Sequence, residues 1–358
     1  IFNSRPFAFQ TMIPTKQTAY GFVRGSKEIV KFDNQPVPEP HTTEILLKVE
    51  TAGLCRSDHH ILISQNPGAP DKMVMGHEIC GTIAKAGSSI ADDPRYTIGA
   101  RFCVFISNSC GTCDNCREGK DNHCTINKFL GYGITQDGGF QQYLLINNPR
   151  NMIPIPHSVS FEAAAAATDA VLTPFHAIMK VKDKLTPTSK ILVLGAGGLG
   201  LHALQIIRHF GSQVVCVDQK AQNETLAKHS GAHEFYTSFD DLRHEPESFD
   251  VSFDFIGNQE SVDCSCEFVG NNGKIVMVGM GKLRTEFPNF DLSRREIEVI
   301  YNFGGTSREQ GEVLRWIALG KIVPVVEVKS MSELPEYILK MRKGQLVGRI
   351  AFKPVAKF

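Results

Sequence analysis

The chain has 358 residues, of which 42% are hydrophobic and 21% charged; at roughly 150 residues per domain this supports about two domains with full cores. Such a composition excludes a disulfide-stapled miniprotein, a collagen or coiled-coil architecture and extensive disorder. The 38 basic and 38 acidic residues cancel, so no net field draws the chain to phosphate backbones or anionic lipid, and neither nucleic acid nor a membrane is an expected partner.

Ile1 stands where a methionine would, and Met12 is the more natural beginning; residues 1–11 read as a leader remnant or appended sequence and stay outside the fold argument. The N-terminal part then shows strand-like runs at Glu44–Val49, Gly99–Phe105 and Phe140–Ile146, separated by Gly, Pro and Asp turns, which predicts a mostly β domain. Between the first two runs lie Gly53-Leu-Cys55-Arg56-Ser57-Asp58-His59-His60 and Gly76-His77-Glu78; Thr168-Asp169 follows a short helix-forming run at Ala163–Ala167. A catalytic zinc takes three protein ligands from distant segments and keeps one position open, and Cys55, His77 and Asp169 would suffice. Taken singly, each also reads as ordinary: a small buried thiol, a satisfied histidine and a helix cap.

Cys110-Gly-Thr-Cys113-Asp-Asn-Cys116 followed by Cys124 is a C-x2-C-x2-C-x7-C pattern on a polar loop. Four crowded thiolates suit a closed structural zinc shell, with iron–sulfur ligation as the chemical alternative. A closed shell has no open position, so this cluster is not expected to catalyse. The other six of the ten cysteines sit in apolar contexts, so the usage points to metal in a reducing compartment, the cytoplasm, rather than to disulfides.

From Lys190 the pattern changes to β-branched runs at Ile191–Leu194, Val214–Val217, Glu234–Tyr236, Val251–Ile256, Ile275–Val278 and Ile297–Tyr301. Helix-like stretches at Leu199–Phe210 and Glu224–His229 alternate with them, the rhythm of a doubly wound parallel sheet. The longest apolar-looking stretch, 191–207, contains four glycines and a histidine, so it reads as strand, turn and helix rather than a membrane span. The expected division is a first domain over 12–170, a dinucleotide-binding domain over 171–304, and a return of 305–358 to the first domain. Gly195-Ala-Gly197-Gly198-Leu199-Gly200 gives G-x-G-x-x-G between strand and helix, where a pyrophosphate can approach the backbone and the helix N-terminus. Asp218 closes the second strand, where its carboxylate can accept from the ribose hydroxyls and would repel a 2′-phosphate. NAD is therefore expected over NADP, with Lys220 softening the preference if it is more than a surface lysine.

Taken together these five motifs, in this order and from about residue 17 onward, resemble the zinc-dependent medium-chain alcohol dehydrogenase family. In much of that family the third catalytic-zinc ligand is a cysteine; Asp169 at the matching position resembles a branch of secondary-alcohol dehydrogenases and NADH-dependent carbonyl reductases. The resemblance implies an α/β fold, a Rossmann doubly wound sheet plus a mostly β GroES-like catalytic domain, with two zinc ions per chain and NAD(H). It assigns Cys55, His77 and Asp169 to the catalytic zinc, Glu78 to a place beside it, Asp58 to orienting His77, and Cys110, Cys113, Cys116 and Cys124 to the structural zinc. Ser57 and His60 become a proton relay, while Arg56 and Arg349 become pyrophosphate contacts; for both arginines a surface ion pair is the alternative.

The implied substrate is a small alcohol or ketone, and the implied assembly is a homodimer or homotetramer paired through Glu296–Phe303. A polyol or sugar-alcohol dehydrogenase of the same fold and a non-enzymatic zinc–thiolate redox module are the rival readings. His59, His123 and His176 carry no ligand role in the matched pattern, and Cys80, Cys103, Cys216, Cys264 and Cys266 read as buried thiols. Phe105 and Ile106 read equally as substrate-pocket lining or as core.

Overall fold

A computed structural model describes residues 12–64, 67–128, 130–242 and 246–354. The expectation for residues 1–11 lies outside the described residues.

The first part contains β1 (Lys16–Val23), β2 (Val30–Pro36), β3 (Ile45–Leu54), α1 (Arg56–Ser64), β4 (Lys72–Val74), β5 (Glu78–Ala86), β6 (Arg101–Val104), α2 (Asp114–Arg117), β7 (Tyr143–Ile146), β8 (Met152–Pro154) and α3 (Phe161–Ala166). There follow α4 (Leu172–Met179), β9 (Lys190–Leu194), α5 (Gly198–Ile207), β10 (Gln213–Val217), α6 (Glu224–Ser230), β11 (Glu234–Tyr236), β12 (Phe249–Asp254), α7 (Gln259–Phe268), β13 (Val269–Met277), α8 (Asn289–Arg294) and β14 (Glu298–Tyr301). The chain continues through α9 (Ser307–Ala318), β15 (Val326–Ser330), α10 (Leu334–Arg342) and β16 (Arg349–Lys353).

Strands β9 to β14 form one parallel sheet in the order β11-β10-β9-β12-β13-β14. Strand β9 is apolar on both faces because helices cover both: Ile191 and Val193 enter one core with Val214 and Cys216, while Leu192 and Leu194 enter another with Val215 and Val217. The order reverses between β9 and β12, so a crevice opens at their C-terminal ends, where Gly195 begins the glycine loop. Expectation and structure differ at β12, which ends at Asp254 rather than Ile256. The Asp254 carboxylate accepts from the backbone amides of Ile256 (2.7 Å) and Gly257 (2.8 Å), which turns the chain out of the sheet.

A second sheet runs β15-β16-β3-β5-β6-β8, with β7 also on β3, and a three-stranded sheet runs β2-β1-β4. The strand expected at Glu44–Val49 continues to Leu54, and this extension carries the chain directly to Cys55. Its far end is clasped on both sides, since Gly53 pairs with Glu78 of β5 and with Ala351 of β16. Strand β7 is shorter than the expected Phe140–Ile146. Phe140 instead packs over Gly76, where an added Cβ would come within 2.6 Å of its ring. Among the described residues no helix is long and apolar enough to cross a membrane.

Candidate active site

The C-terminal end of β3, the start of β5, the α3–α4 connection and the start of β16 converge on one buried point. Cys55 leaves β3 5% exposed, and the following turn is held by Asp58, whose Oδ2 accepts from the Cys55 amide (2.9 Å). The other Asp58 oxygen lies 3.1 Å from Nδ1 of His77, so one fully buried carboxylate fixes two of the converging residues. Because a carboxylate only accepts, His77 donates to Asp58 through Nδ1, and its Nε2 faces Asp169, 3.6 Å from Oδ2. Asp169 Oδ2 also lies 3.2 Å from Cys55 Sγ.

Cys55, His77, Glu78 and Asp169 each offer a ligand atom, all within 4.8 Å of one another. Burial by itself would lower the His77 pKa, but the Asp58 charge and hydrogen bonds to Asp169, Asp58 and Cys55 hold it well above the ordinary imidazole value. Burial would raise Asp169, and contacts with His77, Thr173 and Cys55 outweigh it and keep the carboxyl below its usual range. A thiol, an imidazole and two carboxylates drawn this close together are what a zinc ion would satisfy, so the donor set fits the metal chemically.

Arg349 is the surprise of this site. Its alternative as a surface ion pair does not hold, because it is 8% exposed and its Nε donates to Glu78 Oε2 (3.0 Å) while the guanidinium also donates to Asp169 Oδ2 (3.1 Å). The same guanidinium borders the glycine loop, where a Cβ added at Gly198 would sit 3.3 Å from it. Arg349 thus stands between the candidate metal-binding cluster and the loop expected to take a pyrophosphate. Arg56, the other expected contact, is exposed at the start of α1.

Ser57 is half-buried, its Oγ 3.6 Å from Cys55 Sγ. His60, one turn along α1 and half-buried, has its pKa lowered by burial and by the Arg56 charge. His59 is instead tied to α10, accepting at Nδ1 from Arg342 Nε (3.1 Å).

In the loop, Gly195 adopts φ +94°, and a Cβ at Gly200 would fall 1.8 Å from the Gly195 carbonyl oxygen, so the tight turn tolerates only glycine there. A Cβ at Gly197 would meet open space, which leaves its backbone accessible to a ligand, and Leu199 lies in the first turn of α5 beside it. Asp218 follows β10 and accepts from the amides of Ala196 (2.7 Å) and Lys220 (2.8 Å), which brings its carboxylate against the loop. Lys220 Nζ donates to the Leu346 carbonyl (3.4 Å), away from a purely solvated position.

The four cysteines of the lobe also lie with their sulfurs within 4.8 Å of one another, Cys110 and Cys116 being 3.9 Å apart. Four thiolates around one zinc at about 2.3 Å would be separated by about 3.8 Å, so this spacing suits a single tetrahedral ion and is too tight to enclose a multinuclear cluster. Amides of Thr112 (3.4 Å) and Cys113 (3.3 Å) point at Cys110 Sγ, and that of Asn127 (3.3 Å) at Cys124 Sγ. The Thr112 hydroxyl and amide lower Cys110 to about 7, the Thr125 hydroxyl and amide lower Cys113 to about 5, and burial raises Cys116 to about 12.

The remaining expected bystanders find ordinary partners. His176 pairs with Glu309 (2.8 Å), His123 packs on the Phe303 ring, Cys80 donates to the Phe161 carbonyl (2.9 Å), and Phe105 is core. Sequence reasoning passed over Thr173, whose hydroxyl donates to Asp169 Oδ1 (2.6 Å), and His202, whose Nδ1 donates to the Ala170 carbonyl (3.1 Å). The i, i+4 spacing of Asp169 and Thr173 was the available signal for the first.

Comparison with known proteins agrees with this architecture. Residues 41–157 match the alcohol dehydrogenase GroES-like domain family, and residues 198–318 match the zinc-binding dehydrogenase family. An alcohol dehydrogenase of Schizosaccharomyces pombe is 30% identical over 94% of this chain and 98% of its own length. The structure of acetophenone reductase from Geotrichum candidum in complex with NAD superposes with a TM-score of 0.89 at 36% identity, covering 96% of this chain and 98% of that one. An L-galactonate-5-dehydrogenase of Escherichia coli is 29% identical over 83% of this chain and 86% of its own.

Proposed function

Because the chain belongs to the zinc-type medium-chain alcohol dehydrogenase family, we propose that it interconverts a secondary alcohol and the corresponding ketone with NAD(H), through a site built on Cys55, His77 and Asp169. The observation that carries this reading is the convergence of those three donors from separate segments within 4.8 Å, with Arg349 linking them to the glycine loop.

Zinc held there would act as a Lewis acid, polarising the substrate oxygen and easing loss of the alcohol proton. NAD(H) would exchange a hydride with the substrate carbon. Ser57, beside the ligand Cys55, takes the hydroxyl proton in oxidation, and His60 receives it at the outer end of the relay. The lowered pKa of His60 keeps its ring neutral, and so able to accept, at physiological pH. Asp58 orients His77, and Glu78 stands as the further carboxylate beside the metal. Gly195, Gly197, Gly198, Leu199 and Gly200 would cradle the pyrophosphate, with Arg56 and Arg349 as its cationic contacts. Asp218 still has lone pairs to offer the ribose hydroxyls, and its charge disfavours a 2′-phosphate. The lobe cysteines would hold a second, structural zinc.

The likeness to a ketone reductase at 36% identity, above the 29% shared with a sugar-acid dehydrogenase, supports a ketone over a polyol. Assembly would pair β14 across a two-fold axis, since Tyr301 is 68% and Phe303 52% exposed at that edge. The deciding experiment is a panel of ketones, simple secondary alcohols and polyols with NADH or NAD and chiral product analysis. Ketone reduction to one enantiomer supports the proposal, and turnover confined to polyols overturns it.

A further inference from the structure

We propose that Thr173 is a positioning residue that makes an aspartate workable as the third metal ligand, its hydroxyl holding Asp169 Oδ1 so that Oδ2 alone is presented to the metal. The inference rests on the reading of Asp169 as a ligand. A cysteine in that place offers one sulfur, whereas a carboxylate offers two oxygens that can bind singly, bind together, or be drawn off by a nearby cation. Here such a cation is adjacent: Arg349 donates to Asp169 Oδ2 at 3.1 Å. Something has to fix which oxygen faces which partner.

The geometry assigns that task to one group. Oδ2 faces Cys55 Sγ (3.2 Å), His77 Nε2 (3.6 Å) and Arg349, while Oδ1 takes the Thr173 hydroxyl at 2.6 Å, a short charge-assisted bond. Thr173 is 9% exposed, so water competes poorly for either end. Its amide also donates to the Asp169 carbonyl (2.9 Å), which sets the two side chains on one helical face. The backbone beneath them is anchored from two other elements. His202 of α5 donates to the Ala170 carbonyl (3.1 Å), and Asn302, just past β14, donates to the Thr173 carbonyl (3.2 Å). Thr173 is β-branched with few χ1 rotamers open to it in a helix, and the short bond to Asp169 Oδ1 selects one of them.

Without the hydroxyl, Oδ1 is released, and the carboxylate is free to chelate through both oxygens or to turn toward Arg349. Loss of a partner that orients a ligand typically weakens metal affinity by about 10–100-fold. The test uses the full chain, with zinc affinity at each site measured by chelator competition and the visible spectrum recorded after cobalt replaces the catalytic zinc. The lobe zinc serves as an internal reference for folding. Thr173→Val, which preserves shape and removes the hydroxyl, should lose about 10–100-fold in affinity at the catalytic site only. Its cobalt spectrum should depart from that of the unaltered protein, and Thr173→Ser should restore both.

Retained affinity and spectrum in Thr173→Val, with Asp169→Ala losing one zinc per chain, would overturn the inference while leaving Asp169 a ligand. Two zinc ions in Asp169→Ala would instead overturn the ligand reading. Failure of Thr173→Ser to restore what Thr173→Val loses would mean that packing rather than the hydroxyl holds the site, and would also overturn the inference.

Discussion

His202 should make this protein acid-labile in a way that a single substitution removes. It lies on α5, 1% exposed, with Nδ1 donating to the Ala170 carbonyl and Nε2 buried without a partner among the described residues. Protonating Nε2 would bury a cation, and burial, outweighing the backbone carbonyls of Gly198 and Ala170, lowers the pKa to about 4 from the ordinary 6.5. The unfolded chain takes up this proton first as pH falls, so the folded state loses stability from about pH 6.5 downward, and the loss levels off below about pH 4. Near pH 5 protonation shifts the folding equilibrium toward the unfolded chain about thirty-fold, or about 2 kcal/mol, and the limit is about 3 kcal/mol. His202→Asn keeps an amide where Nδ1 sits and cannot be protonated. Urea unfolding of both proteins between about pH 7.5 and about pH 5 should show the variant gaining about 2 kcal/mol relative to the unaltered chain as pH falls. The proposed metal ligands are common to both proteins, so their titration cancels in the difference. A pH-independent difference would refute the assignment of a neutral buried ring.

Metal analysis should find two zinc ions per chain, and Cys110→Ser should lower thermal stability more than it lowers turnover by the surviving folded fraction, because a closed thiolate shell contributes folding energy. Ser57→Ala should keep zinc and bind NADH normally while losing about 10²-fold or more in single-turnover alcohol oxidation, and an unimpaired rate would remove Ser57 from the relay. Burial and Arg56 hold His60 below 6.5, so alcohol oxidation should fall as pH drops through a value below 6.5, where the ring becomes protonated and can no longer accept. His60→Ala should lose that inflection, and its deficit should shrink at high pH, where hydroxide accepts the proton instead. Steady-state assays should show higher kcat/KM with NADH than with NADPH, and equal efficiency would rule out Asp218 as the selector.

What could be read from the sequence divides along the range of the interactions involved. The lobe cysteines and the glycine loop each lie within one short local segment, so their composition already contains their geometry: a Cβ at Gly200 collides with Gly195, five residues earlier, whatever the rest of the chain does. The parallel sheet was legible because central strands such as β9 are covered on both faces and read as continuous apolar runs, whereas β16 and the far half of β3 have no such signature. Where polar side chains redirect the backbone, periodicity misleads, as at Asp254, which ends β12 two residues before the apolar pattern does.

The position of Arg349 was the least accessible feature, and its cause is sheet register. Glu78 and Arg349 are 271 residues apart and meet because β5 and β16 flank the same end of β3, pairing with Gly53 and its neighbours. A one-residue slip of β16 would turn Arg349 to the opposite face, since side chains alternate along a strand. The buried guanidinium therefore depends on a pairing that no local motif encodes, while the carboxylates it meets depend on the start of β5 for Glu78 and, for Asp169, on the α3–α4 connection and the Thr173 hydroxyl. The charge balance of the site is consequently set by three distant backbone elements at once. A substitution that shifts β16 should disturb Glu78 and Asp169 without touching either residue.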